Sequence, residues 1–126
     1  MSSGWAEVAS AITLLDKYGL VKTTQVIQGF YEDVLQDPKL GHFFDRVSIT
    51  ELAEHQTIFL NMVMGGPSGY THHDIEHAHS PLGIHHEQFN AMIGHLEARL
   101  AHNEFHPDDV ARIIAIYLEY EPMIAG

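Results

Sequence analysis

"TELAEHQTIFLNMV", residues 50–63, is the stretch on which the fold turns. Its apolar positions Leu52, Phe59, Leu60 and Val63 recur at helical spacing. Residues three or four apart on a helix share a face, so that face also carries His55 and Gln56. A single buried histidine reads most simply as a hydrogen-bonded core residue. Two adjacent polar side chains on an apolar stripe weaken that reading, because each costs roughly 1–3 kcal/mol if it is left without a partner. The pair persists most easily if it faces a pocket that contains something polar.

The stretch is bounded on both sides. Ser48 and Glu51 form a capping box, with Val47 and Leu52 able to staple across it. Gly65-Gly66-Pro67 ends the helix abruptly. Toward the N-terminus, an earlier helix carries Ile27, Phe30, Tyr31, Val34 and Leu35 inward, is capped by Thr23 or Thr24, and stops at Pro38. "KLGHFFD", residues 39–45, reads as a short helical turn. Trp5, Val8, Ile12 and Leu15 share a face that Gly19 closes, so residues 1–18 form a first helix or N-terminal helical extension. Toward the C-terminus, a helix over about residues 87–101 turns Phe89, Met92, Ile93, Leu96 and Leu100 inward. Pro107, followed by two acids, starts a last helix with Val110, Ile113, Ile114, Tyr117 and Leu118 inside. The expected fold is all-α, a single domain over residues 1–126 with about five helices. Such helices pack in pairs and leave a pocket between them.

Composition narrows the function. The 126 residues fit one domain, and 45% of them are hydrophobic, enough for a core. With 17 acids against 6 bases, the net charge of −11 would repel a nucleic acid. The absence of cysteine excludes disulfides and thiolate chemistry. The start "MSSGWAEVAS" has no basic segment followed by an apolar run, and no run of 18 apolar residues occurs, so a cytoplasmic protein that does not enter membranes is expected. Eleven histidines are the odd feature, because imidazole is the commonest metal ligand.

Four of those histidines lie between Ser68 and Ile84, where helical periodicity disappears. A loop this long within a small domain is usually functional. His73 and His77 are four apart, a chelating spacing if helical; His77 and His79 alternate as a strand would place them. No pattern of known zinc spacing completes a site. Solvated surface histidines are the simpler account for any one of them. Tyr31 fits either an ordinary boundary tyrosine or a hydroxyl aimed into the core. Phe43-Phe44 alone implies only core.

In order, "GFYEDVLQDPKLGHFF", "LAEHQTIFL", "GGPSGY", "HAHSPLGI" and "HHEQF" resemble a truncated haemoglobin of the first group, the two-on-two globins. Leu52 follows Phe44 by eight positions, and the double glycine follows the 50–63 helix directly. The resemblance covers roughly residues 17 to 118, and its distal motif is closest to cyanobacterial members. It implies a two-on-two helical sandwich around haem b, with the proximal helix largely replaced by a loop. His79 would ligate the iron from the proximal side, with His77 as a competing assignment. Phe44 would stack on the porphyrin. Leu52, in the place of the ordinary globins' distal histidine, Phe59, lining the pocket or its tunnel, Tyr70 and Met92 would also contact the cofactor. Tyr31 would hydrogen-bond a bound gas, with Gln56 as its partner. His55 would be an internal sixth ligand, which answers the question its position raises, or would instead swing out to a haem propionate or to water.

The resemblance has departures. Tyr18-Gly19 stands where the family has a first double glycine, and the N-terminal stretch is longer than its trimmed first helix. No histidine follows His106, so a covalent haem bond from the last helix is not expected. The implied partners are dioxygen, nitric oxide and carbon monoxide, with an electron-donating reductase, in a monomer or weak dimer. Two hydrogen-bond donors beside dioxygen suit its reaction with nitric oxide to nitrate better than carriage. Oxygen sensing, electron transfer or peroxidase-like chemistry are alternatives. Rivals without haem are a divalent-metal-binding domain centred on His72, His73, His77 and His79, and an acidic interaction module.

Overall fold

In the computed structural model, described over residues 13–66 and 84–124, the chain is helical, with no strand among the described residues. The elements are α1 (Leu14–Tyr18), α2 (Leu20–Gln36), a 3-10 turn (Gly41–Phe44), α3 (Ile49–Val63), α4 (His86–His102), α5 (Pro107–Glu119) and the short α6 (Glu121–Ile124). No described helix is long and apolar enough to cross a membrane. The segment expected to replace the proximal helix, with Tyr70, His72, His73, His77 and His79, lies outside the described residues, as does most of the 1–18 stretch.

Two pairings build the body: α2 packs on α3, and α4 on α5, while α2 also packs on α4 and α3 touches α5. Each helix supplies one apolar stripe to the shared core. From α2 come Val26, Ile27, Tyr31 and Val34; from α3, Phe59, Leu60 and Val63; from α4, Leu96 and Leu100; from α5, Val110, Ile113, Ile114 and Tyr117. Removing each such aliphatic side chain from water contributes about 1.5–3 kcal/mol.

Helix boundaries follow local chemistry, with one correction. The Ser48 hydroxyl accepts from the Glu51 N–H at 3.3 Å, so the serine half of the expected capping box is formed. Helix α2 does not begin at Thr23 or Thr24. Gly19 takes φ +86°, a conformation open to glycine, and lets the chain turn directly from α1 into a helix starting at Leu20. Both threonine hydroxyls then lie inside the helix and donate to the Leu20 carbonyl, at 2.9 and 3.0 Å.

Two polar contacts set the helix register. Arg99 of α4 forks onto Asp33 of α2, with Nε 2.6 Å from Oδ2 and Nη2 2.9 Å from Oδ1. The arginine side chain lies so close to α2 that a Cβ on Gly29 would sit 2.6 Å from Arg99 Cδ. At the other end, Asp109 of α5 accepts from Lys17 Nζ at 2.6 Å and from Tyr18 Oη at 2.5 Å, and the Tyr18 ring stacks on Phe105 with centroids 3.9 Å apart.

That second contact gives a pH prediction. The Lys17 hydrogen bond, then that of Tyr18, holds the Asp109 carboxyl below its ordinary value of 3.8. A lowered folded value means stabilisation that is complete above the ordinary value and is lost as pH falls through the folded one. Asp109→Ala is expected to cost about 1–3 kcal/mol at neutral pH and to flatten the acid limb of a plot of thermal midpoint against pH. An acid limb as steep as the wild type's would show that Asp109 does not carry this dependence.

Candidate ligand pocket between the helix pairs

Between the two helix pairs lies a partly open cavity of about 70 Å³, smaller than the roughly 300–1,000 Å³ of typical small-molecule sites. Helix α2 contributes Phe30 and Tyr31, the 3-10 turn contributes Phe44, and α3 contributes Leu52 and Gln56. The opposite wall is Ile84, then Phe89, Met92, Ile93 and Leu96 of α4, and Tyr117 of α5. Leu52 and Gln56 are four apart, so one helix face delivers both. The lining residues are apolar except for Gln56 and the two tyrosines.

Tyr31 is 4% exposed. Its ring meets Phe30 and Phe44 edge to face, with centroids 5.0 and 5.8 Å apart. Burial pushes its hydroxyl far above the ordinary tyrosine range, so the group stays a neutral donor. Tyr117, 7% exposed, is pushed the same way by burial and then by the neighbouring Tyr31. Its hydroxyl oxygen is buried with no hydrogen-bond partner among the described residues.

Of the residues expected from sequence, Tyr31, Gln56, Phe44, Leu52 and Met92 therefore meet around one cavity. Phe59 is buried behind that wall, edge-on to Tyr117 at 5.1 Å and to Tyr120 at 5.2 Å. His55 stands on the exposed side of α3, next to the half-buried Gln56. Tyr70 and His79 lie outside the described residues. Tyr117 entered the sequence reading only as an inward core residue. The stripe Ile113, Ile114, Tyr117 shows which way the ring points, and nothing in it shows that the hydroxyl lacks a partner.

Paired helices around a largely apolar cavity match what comparison with known proteins shows. The family model for bacterial-like globins matches residues 13–122. A group 1 truncated haemoglobin of Synechocystis is 32% identical over 109 residues, covering 82% of this chain and 88% of the relative. One from Tetrahymena pyriformis is 35% identical over 71 residues, 56% of this chain. That alignment spans only 59% of the Tetrahymena protein's length. The crystal structure of the Tetrahymena pyriformis protein in its Fe(III) form superposes with a TM-score of 0.82 at 25% identity, covering 90% of this chain and 98% of that one. The chain belongs to the bacterial-like globins, and among them to the group 1 truncated haemoglobins.

Haem b is the cofactor of this family, and the chemistry of the pocket's lining suits it. Its walls are aromatic and aliphatic, as a porphyrin face requires. The buried Tyr117 oxygen has no hydrogen-bond partner among the described residues.

Proposed function

We propose that this globin binds diatomic gases and converts dioxygen and nitric oxide to nitrate, in preference to carrying dioxygen. When bound, haem supplies an iron that takes dioxygen, nitric oxide or carbon monoxide. Phe44, Leu52 and Met92 would hold its ring, and His79 would grip the iron. The observation that carries the proposal is that Tyr31 and Gln56 line one largely apolar cavity. Each can donate to the outer atom of a dioxygen guest, where negative charge gathers. A donor of this kind contributes about 1.5–3 kcal/mol when charge-assisted. Dioxygen held by two donors leaves slowly and stays long enough to meet nitric oxide. One dioxygen, one nitric oxide and one electron make one nitrate, so each turnover requires an electron-donating reductase.

His55 has a separate part in the proposal. It sits one residue before Gln56 on α3, so a side chain that turned inward from its exposed position would close the gas site. Gas affinity would then fall by the fraction of molecules with the site open.

Stopped-flow mixing tests both points. Reduced, haem-loaded protein equilibrated with dioxygen should yield one nitrate per haem when nitric oxide is added. His55→Ala should give a five-coordinate ferrous spectrum and faster carbon monoxide binding than wild type. Absence of nitrate rejects the dioxygenation, and an unchanged His55→Ala spectrum rejects the internal ligand.

A further inference from the structure

We propose that Tyr117 is a third donor of the gas pocket, reaching the same guest as Tyr31 from a different helix and selecting for ligands that gather negative charge. This rests on the gas-binding proposal above.

Three observations converge on it. The Tyr117 ring lines the cavity that holds Tyr31 and Gln56. Its hydroxyl oxygen is buried without a hydrogen-bond partner among the described residues. The ring is held edge-on against Phe59, which itself packs edge-on against Tyr120. A buried hydroxyl without a partner is costly, whereas phenylalanine fills the same ring space at no such cost. The hydroxyl is therefore best explained by a polar guest that is present when the protein works. Tyr31 and Tyr117 line the same cavity, from different helices. Dioxygen, with its charged outer atom, gains from a further donor. Carbon monoxide, which gathers little charge, gains far less.

Tyr117→Phe in haem-loaded protein should speed dioxygen release by about two- to tenfold, the range of one neutral hydrogen bond, and change carbon monoxide release by less than about twofold. Haem-free Tyr117→Phe should melt at the wild-type temperature or higher, because no protein partner is lost. A lower midpoint would show that the hydroxyl serves the fold, and would overturn the proposal. Tyr31→Phe is run beside it. If only Tyr31→Phe speeds release, the gas pocket stands and the role of Tyr117 falls. If neither variant does, the donor reading of the pocket falls with it. If Tyr117→Phe has its effect in wild type but none in a Tyr31→Phe background, Tyr117 acts only through Tyr31, and the direct contact is rejected.

Discussion

His79→Ala is expected to weaken haem uptake by more than about a hundredfold. Removing a partner that merely orients a metal ligand typically costs about 10–100-fold, and removing the ligand itself costs more. The haem ring would still meet Phe44, Leu52 and Met92 on the cavity wall, so weak, poorly oriented binding should survive with an altered spectrum. Haem titration of the haem-free protein, followed by absorption, measures both effects. His77→Ala is the matched comparison and should bind haem like wild type. The opposite pattern would assign the iron to His77. Loss in neither variant would remove both His77 and His79 as the source of the ligand.

Tyr31→Phe is expected to raise the dioxygen dissociation rate by about 10–100-fold, the equivalent of one charge-assisted hydrogen bond. The substitution keeps the ring, and with it the edge-to-face contacts to Phe30 and Phe44. Fold stability should therefore hold while the ligand chemistry changes. Burial keeps the wild-type hydroxyl protonated well past the ordinary tyrosine value of 10.0. Wild-type release should accordingly show no acceleration as pH passes through that value. Flash photolysis with carbon monoxide–dioxygen mixtures gives the rate. A Tyr31→Phe rate equal to wild type would take Tyr31 out of the ligand's surroundings.

Much of this architecture was legible in the residues because burial follows helical period. The stripe through Leu52, Phe59 and Val63 located α3. A helix advances about 100° per residue. With Leu52 at zero, Phe59, Val63 and Gln56 fall within about 40° of it, and His55 lies about 60° to the other side. That difference is why Gln56 reaches the cavity and its neighbour faces out, although the sequence reading put both on one face. The start of α2 was misplaced for a related reason. Leu20 and Val21 are apolar yet 61% and 73% exposed, so no stripe announces them. The conformation of Gly19 decides the boundary instead. The role proposed for Tyr117 could not be read at all, because a missing hydrogen-bond partner is a property of what surrounds a group in three dimensions.

The Arg99 fork has a consequence beyond holding two helices together. It grips α2 at positions 29 and 33, and the pocket residues Phe30 and Tyr31 lie between them. A one-residue slip of α2 along that grip would rotate its pocket side by about 100° and carry the Tyr31 hydroxyl away from any gas. If Tyr31 is the donor proposed above, its azimuth is indexed by a guanidinium that is not among the cavity's lining residues.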